Sequence, residues 1–385
     1  MIKDIFLRLR KYYVFFFIPF FIFSIFEFRF LFENNFYQKI FSFGFFDLWT
    51  IWHFYIVSFL ILFRDKINYN YLLYLLPVFI LFSHSSVLPV TQSSFYYSFS
   101  FFLLPALFVF VFKRLDFIKN HLFFIWILLF MNLWILAASF FGIEVFGYFS
   151  RLTFPYMDPL NTSLPTSSNW LAFLYASLIG LSLSFDRTKA VKFKYVIIFL
   201  SIIPLLLTQS YGAILSLLFA CVFYLFKSYP KFFIKGLITS FVIFIFSLPI
   251  LYNTRKFQIL IGNEVEYSSI DRRFQIYKVS WNIFLENPIF GIGVNNFQNL
   301  FRNQQFKYLD NLLPEQELPP HPHNLFLYLI LDFGLFGFVY YFYLIYKFFF
   351  TDSNIAFYYV FIHSIIDVPF ATLEHSVLWF LALLF

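Results

Sequence analysis

The amino-acid sequence predicts an all-α, polytopic membrane protein with about 11 to 12 transmembrane helices and one large external loop between the ninth and tenth spans. Three observations predict this class. Hydrophobic residues make up 61% of the 385 residues and charged residues only 12%. Apolar runs of about 20 residues, the length that crosses a bilayer as a helix, recur along the chain. A single long stretch of ordinary polarity, residues 252–323, interrupts them.

The apolar runs divide the chain into three parts. Residues 1–251 hold nine predicted spans, residues 252–323 form the external loop, and residues 324–385 return to the membrane. The last run, residues 354–385, fits either one span or a short hairpin. The predicted spans are residues 12–32, 45–63, 70–90, 95–112, 121–142, 169–185, 194–208, 210–226, 232–251, 324–347 and 354–385.

The distribution of Lys and Arg predicts the orientation. Alternate short segments between the spans carry 17 basic residues, whereas the intervening short segments carry only Lys39 and Arg151. Because basic residues remain on the cytoplasmic side, the N-terminus is predicted to be cytoplasmic and the loop to lie outside. No small-residue cleavage site follows the first run, so it is interpreted as a retained span.

Composition excludes several classes of function. The net charge of +7 comes from the cytoplasmic anchoring residues, so we expect the lipid bilayer, and no nucleic acid, as a partner. Cys221 is the single cysteine, which rules out an intramolecular disulfide and a cysteine-based metal site.

The external loop contains a predicted amphipathic helix that begins near Ser269. Ser269 or Asp271 can cap its start, and Asn287-Pro288 and the turn Gly291-Ile292-Gly293 end it. Spacings of four residues place three side chains on one face of this helix: Arg273, Tyr277 and Trp281.

Two consecutive arginines, Arg272 and Arg273, fit two interpretations. They could form a basic patch against lipid headgroups. Alternatively, they could bind a phosphate or diphosphate, because a guanidinium group presents a planar fork of donors that matches such oxyanions.

The sequence His321-Pro322-His323-Asn324 lies where the loop re-enters the membrane, and Asn324 is a predicted helix cap. A histidine at this position suits general-base catalysis or phosphate binding. A proline between the histidines prevents a helical i, i+4 metal pair, and the nearby Glu315 and Glu317 match no standard ligand spacing. No metal site is therefore predicted.

Other polar residues of the spans and their connections are predicted to reach the same face. Residues 208–211, Thr-Gln-Ser-Tyr, form a short outer hairpin, and His363 and Asp367 are spaced to share a helical face in the last apolar run. Ionisable residues within spans usually face a cavity. Asp332, eight residues into its span, is predicted to be packed and hydrogen bonded.

The loop and the following run resemble the O-antigen ligase and polymerase superfamily. The resemblance rests on an arginine before an aromatic-containing helix, an "N-P-hydrophobic-hydrophobic-G-x-G…N-F" turn and an "H-N-hydrophobic-hydrophobic-L…G-L-hydrophobic-G" segment. In this chain these are Arg273…Tyr277…Trp281, Asn287-Pro288…Gly291-Ile292-Gly293…Asn296-Phe297 and His323-Asn324…Leu327…Gly334…Gly337. The pair His363…Asp367 also resembles the histidine and acid of the family's last spans.

The resemblance implies an inverting glycosyl transfer without metal or cofactor, outside the cytoplasmic (inner) membrane, with a periplasmic loop. The donor would be a glycan on undecaprenyl diphosphate and the acceptor a sugar of lipid A–core. Arg273 corresponds to the family's loop arginine, which engages the diphosphate, and His323 to its loop histidine. Both are predicted to be catalytic. Predicted substrate-binding residues are Arg272, Tyr211, Tyr277, Asn324, His363 and Asp367.

One departure from the family pattern concerns the hairpin at residues 208–212, where Tyr211 stands in place of the second family arginine. Arg272 is a possible substitute for that arginine. A repeat-unit polymerase and a protein O-oligosaccharyltransferase are the enzyme alternatives. A lipid or glycan transporter and a non-catalytic membrane protein are the alternatives of another class. Repeated halves and paired broken helices, which are typical of transporters, are not evident in the sequence.

Overall fold

A computed structural model describes most of the helical part of the chain. It describes residues 51–67, 99–115, 117–140, 168–184, 191–230, 269–294, 296–314, 318–351, 354–368 and 373–384, with a few positions between them. The predicted spans at residues 12–32 and 70–90, most of the span at residues 232–251, and residues 252–268 of the loop lie outside this part.

Twelve α-helices run through the described residues. The first six are α1 (Ile51–Leu62), α2 (Leu104–Phe112), α3 (Phe117–Phe140), α4 (Ser168–Ser184), α5 (Val191–Leu207) and α6 (Tyr211–Ser228). The other six are α7 (Ser269–Glu286), α8 (Phe297–Tyr308), α9 (Leu325–Phe333), α10 (Leu335–Phe350), α11 (Ile355–His363) and α12 (Leu373–Leu384). A π-helical turn, Phe99–Leu103, precedes α2.

The described fold is helical apart from one small antiparallel pair of strands, β1 (Phe146–Gly147) and β2 (Arg151–Leu152). Two described helical stretches, Asn120–Ala137 and Tyr211–Ser228, are long and apolar enough to cross a membrane. The shorter apolar helices Ser168–Ser184 and Leu335–Phe350 accompany them. The all-helical class is confirmed, while the number of spans stays a prediction.

The centre of the bundle is α4, which packs against α5, α11 and α6. Small residues allow these contacts: a Cβ atom on Gly180 would lie 3.0 Å from the Ala356 Cα atom of α11. The Tyr175 hydroxyl donates to Asn132 Oδ1 of α3 at 2.7 Å, and the Asn132 amide donates to the Leu200 carbonyl of α5 at 2.9 Å. Polar groups buried in this core therefore hold three helices together by hydrogen bonds.

The predicted single span at residues 324–347 is wrong, because the chain breaks at Gly334 into α9 and α10. Gly334 has φ +56°, a left-handed conformation that favours glycine. A Cβ atom there would lie 2.4 Å from the Ile289 carbonyl oxygen. The two helices then pack against each other, with the rings of Phe326 and Tyr341 5.0 Å apart. Sequence hydropathy did not reveal this break because apolar residues continue on both sides of the glycine.

The C-terminal run forms the hairpin that the sequence left as one of two possibilities. Helix α11 ends at His363, and α12 begins at Leu373. The prediction that His363 and Asp367 share a helical face is wrong in detail, because Asp367 follows the end of the helix. The two residues remain adjacent, since the Asp367 N–H donates to the His363 carbonyl at 3.1 Å.

The loop helices α7 and α8 have a hydrophobic core of their own, which includes Ile276, Val279 and Phe301. Helix α9 joins this core to the bundle: Leu327 and Ile330 contribute to the loop core, and Leu325, Tyr328, Leu329 and Phe333 pack into the bundle core. Because α9 is buried on both sides, it fixes the loop against the bundle.

A histidine–aspartate–arginine cluster as candidate functional site

His323 lies immediately before α9 and is held through its backbone as well as its ring. Its φ is +50°, in the left-handed region that non-glycine residues rarely adopt. Its N–H donates to His321 Nδ1 at 3.3 Å, and its carbonyl accepts from the Tyr277 hydroxyl at 3.2 Å. These contacts stabilise an uncommon conformation, and such conformations concentrate at functional sites.

The carboxylate of Asp367 faces His323 from the turn after α11. His323 Nδ1 lies 3.2 Å from Asp367 Oδ1, and the same oxygen accepts from the Val368 N–H at 2.8 Å. The imidazoles of His323, His321 and His363 interact with this carboxylate and favour its ionised form.

An ionised Asp367 determines the tautomer of His323. A carboxylate only accepts hydrogen bonds, so Nδ1 of a neutral His323 must carry the proton that it donates to Asp367. The other ring nitrogen, Nε2, then keeps its lone pair. A histidine oriented in this way by a carboxylate can take a proton from a hydroxyl group.

Asn324 fixes the start of α9 and joins it to the turn that carries Asp367. Its side-chain oxygen accepts from the Leu327 N–H at 3.0 Å, which confirms the predicted cap. Its amide donates to the Ile365 carbonyl at 2.7 Å, and the Leu325 N–H donates to the Ser364 carbonyl at 2.7 Å. Asn324 thus positions His323 and Asp367 relative to each other.

Helix α7, which the sequence predicted, brings Arg273 and Tyr277 to the cluster. Burial raises the pKa of Tyr277, and the positive charge of Arg273 and a hydrogen bond with Asn324 partly offset it. Arg273 also interacts electrostatically with His363. Arg272 is exposed. Because consecutive helical residues point about 100° apart, it occupies a different side of α7 from Arg273 and Tyr277.

His363 and Tyr211 border the cluster at different levels. His363 is buried, with its ring centroid 5.1 Å from that of Phe173 in α4. Tyr211 is the first residue of α6, after the predicted short hairpin. The next residue, Gly212, lies against the side chain of Ile366, where a Cβ atom would be 2.4 Å from Ile366 Cδ1. The hairpin therefore packs on the turn that carries Asp367.

The hairpin makes a second contact near the cluster, whereas Asp332 lies outside the cluster. The Ser210 hydroxyl donates to Asn169 Oδ1 at 2.9 Å. Asp332 is buried at 2% exposure, as the sequence predicted, but its Oδ2 atom has no hydrogen-bond partner among the described residues. Its carbonyl accepts from the Gly293 N–H at 3.1 Å. Asp332 therefore belongs to the joint between the loop and α9 and not to the cluster.

Three side chains of the cluster offer atoms of the kind that bind metal ions. Potential ligand atoms of His321, His323 and Asp367 all lie within 4.8 Å of one another. The sequence analysis identified no ligand set, because the third ligand lies 44 residues from His323 along the chain. In the fold, the described residues do offer a set of two imidazoles and one carboxylate, the types of ligand that zinc accepts.

The sequence analysis missed two relations within the site. It placed Asp367 among the substrate-binding residues, whereas the structure pairs it with His323. It also gave His321 no place in the site, although the rings of His321 and His323 lie 4.4 Å apart. The spacing of His363 and Asp367 was the available signal, but it could not show which histidine Asp367 contacts.

The described residues define a class: a helical protein with long apolar helices and a histidine–aspartate–arginine cluster at the junction of a polar loop and the helix bundle. A family model described as O-antigen ligase matches residues 196–342. The resemblance to the O-antigen ligase superfamily is thereby confirmed over these residues. No curated protein matches the chain.

The matched residues include Arg273, Tyr277, His323 and Asn324 but end before Asp367. Asp367 is therefore assigned to the site by its contact with His323 in the fold, and not by the family match.

Proposed function

We propose that this protein is an O-antigen ligase-like glycosyltransferase. It would transfer a glycan from undecaprenyl diphosphate to an acceptor such as a lipid A–core sugar, on the outer face of the cytoplasmic membrane. The observation that carries the proposal is the pairing of His323 with Asp367 beside Arg273, at the end of the bundle that the predicted topology places outside. The family match supports the class of reaction.

In the proposed reaction the acceptor hydroxyl attacks the anomeric carbon of the donor glycan. His323 Nε2 takes the proton of that hydroxyl, and Asp367 stabilises the imidazolium that forms. The bond between the anomeric carbon and the diphosphate oxygen breaks as the new glycosidic bond forms. Attack opposite the leaving group inverts the configuration at this carbon.

Arg273 supports the departure of the diphosphate. Negative charge develops on the diphosphate as the bond breaks, and a fixed guanidinium group in a half-buried site stabilises it. Arg273 is charged at every physiological pH, so it supplies this stabilisation without a proton transfer. Tyr277 and Asn324 hold the loop and α9 in register around the reacting groups, and His363 supports Asp367 from the buried side.

The test compares the two neighbouring histidines. We expect His323→Asn to lower transfer by about 10²- to 10⁴-fold, because it removes the base. Asparagine tolerates the left-handed backbone conformation of this position, so the loss would not come from backbone strain. His321→Ala is the matched control, and it should keep most of the activity.

Both variants are assayed for glycan transfer in proteoliposomes from roughly pH 5 to pH 9, at equal membrane abundance. The wild-type protein and His321→Ala should share one pH profile, because both keep the base. If His321→Ala were inactive and His323→Asn active, the base would be His321 and the assignment to His323 would be wrong. Two active variants with unchanged pH profiles would remove histidine from the mechanism.

A repeat-unit polymerase is the second candidate, and Tyr211 is the observation that favours it. This residue occupies the position at which the sequence pattern of the family has an arginine, so the diphosphate site differs from that pattern. The product distinguishes the two reactions. A ligase joins the glycan to the lipid A–core acceptor, whereas a polymerase lengthens the lipid-linked glycan by whole repeat units.

A further inference from the structure

Helix α7 has a third side that neither the loop core nor the cluster uses. Its buried side, which includes Ile276, packs into the loop core, and Arg273 and Tyr277 face the cluster. The remaining side presents a stripe of exposed residues separated by four, three and four positions. We name this set the α7 stripe; its members are Phe274, Lys278, Trp281 and Leu285. Trp281, which was predicted to share the face of Arg273 and Tyr277, lies on this side because each step of four residues turns the helix by about 40°.

The α7 stripe exposes large apolar side chains. Phe274 is 67% exposed, Trp281 45% and Leu285 56%. Contiguous exposed apolar surface on a protein indicates a partner that covers it. The single basic member, Lys278, has a long apolar stem, which allows its charge to reach a polar headgroup while the stem stays in apolar surroundings.

The stripe continues into the exposed side of α10. After α7, Ile289 and Phe290 are also exposed, and the Ile289 carbonyl accepts from the Leu335 N–H at 3.0 Å. From Leu335 onward, α10 exposes apolar side chains along its length, including Val339 and Phe342. In the predicted topology this side of α10 faces the lipid chains, and residues 289–290 join it to the C-terminal end of α7, which carries Leu285.

Helix α8 of the same loop differs from α7, because its exposed side carries no apolar stripe. Its exposed side is polar, with Gln298, Asn299, Arg302 and Asn303 around a single exposed aromatic residue, Phe306. Phe306 is 66% exposed, almost the same as Phe274. The two phenylalanines differ in their neighbours and not in their exposure, and only the neighbours of Phe274 form an apolar surface.

We propose that the α7 stripe lies in the outer leaflet of the bilayer, at the boundary between headgroups and acyl chains, and so docks the external loop on the membrane. An amphipathic helix with one apolar side and a basic residue suits this position, where its apolar side is buried by about 5–10 Å. The proposal rests on the predicted membrane location of the bundle and not on the catalytic roles of His323 and Asp367.

The docked position fixes the depth of Arg273 relative to the lipid headgroups. Arg273 adjoins Phe274 along α7 and lies between the stripe and the cluster. With the stripe at the headgroup boundary, Arg273 lies at the level of the phosphate groups. A lipid-linked diphosphate that diffuses in the outer leaflet then meets Arg273 from the side, without leaving the membrane.

Spin labelling of the full chain in lipid nanodiscs tests the position of the stripe. Cys221 is replaced (Cys221→Ser), and single labels are attached through Phe274→Cys, Leu285→Cys and Phe306→Cys. We expect labels at positions 274 and 285 to be accessible to oxygen, protected from a water-soluble nickel chelate, and about 5–10 Å below the phosphates. The matched label at position 306 should show the reverse accessibility.

A fourth label, at Phe342→Cys on the exposed side of α10, separates the possible failures. Chelate access at positions 274 and 285, with a lipid-embedded label at position 342, overturns the docking of α7 alone. Chelate access at position 342 as well overturns the membrane location of this side of the bundle. Strong dipolar coupling between labels at position 274 in two copies would mean that a second chain covers the stripe, which also overturns the proposal.

Discussion

Polar side chains have different roles at the two ends of the helix bundle. At one end, lysines donate to backbone carbonyls near helix termini: Lys194 to Leu183 at 3.3 Å, Lys227 to Thr351 and Lys347 to Leu383. At the other end, groups of both signs and neutral donors converge around His323 and Asp367. The lysine end follows the usual preference for cations at helix C-termini.

Backbone conformation separates the two ends further. Among the described non-glycine residues, Gln209 and His323 have positive φ. Gln209 lies in the short hairpin that packs beside Asp367, and His323 belongs to the cluster, so both lie at the site end. The lysines at the lysine end donate to C-terminal carbonyl groups, which every helix leaves without a partner inside the helix. The site end holds uncommon conformations that other contacts must stabilise.

The largest effect that would sharpen this comparison is expected at Arg273. We expect Arg273→Lys to lower glycan transfer by about 10²-fold, because a lysine cannot reproduce the paired donors of a guanidinium group toward a diphosphate. Arg272→Lys is the matched control on another side of α7, and its activity should change little. Initial rates are measured at equal abundance in the membrane. Equal losses in the two variants would contradict the distinction between the arginines.

The next effect concerns Asp367. Asp367→Asn should lower transfer by up to about 10²-fold, because an amide can donate to Nδ1 and so favour the wrong tautomer of His323.

The initial rate of Asp367→Asn at equal abundance in the membrane provides the check. If Asp367→Asn retained wild-type rates, the pairing with His323 would have no role in transfer.

At the lysine end we expect a loss of stability without a loss of chemistry. Lys347→Met keeps the apolar stem but removes the hydrogen bond to Leu383 and the cation that lies 5.0 Å from the Phe357 ring centroid. The free energy of unfolding should fall by about 1–2 kcal/mol, measured as a lower melting temperature in detergent. Lys307→Met removes an exposed ion pair with Glu286 and should change the melting temperature little. If folded Lys347→Met lost much of its transfer activity, the lysine end would also contribute to the reaction, and the proposed difference between the two ends would be wrong.

The smallest effect is expected on metal removal. His321, His323 and Asp367 could bind a transition metal ion. In the proposed mechanism, however, His323 Nδ1 donates to Asp367 and Nε2 takes the proton of the acceptor, so a metal ion on either ring nitrogen would disrupt the reaction. Chelation with EDTA should therefore leave the transfer rate of the purified protein unchanged. Loss of activity on chelation, restored by a divalent metal ion, would overturn the metal-independent mechanism.

Periodicity and end signals predicted the local features of the site. The extent of α7, the cap at Asn324 and the short hairpin before Tyr211 all follow from neighbouring residues, and the structure confirms them. The pairing of His323 with Asp367 depends on how α9 packs against the turn after α11, and no local pattern contains that information. The break at Gly334 was also beyond sequence reasoning, because it depends on the approach of the backbone at residues 289–291.

The shortness of α11 has a consequence for the depth of the site. Helix α11 begins beside the lysine end, where the Asn354 amide donates to the Ala382 carbonyl, and its nine residues extend only about 13 Å. A bilayer core is about 30 Å thick. In the predicted topology α11 alone cannot cross the membrane, so the turn that carries Asp367 lies below the outer surface. Because Coulomb interactions strengthen as the surrounding dielectric constant falls, Asp367 stabilises an imidazolium at His323 more strongly there than at the open surface.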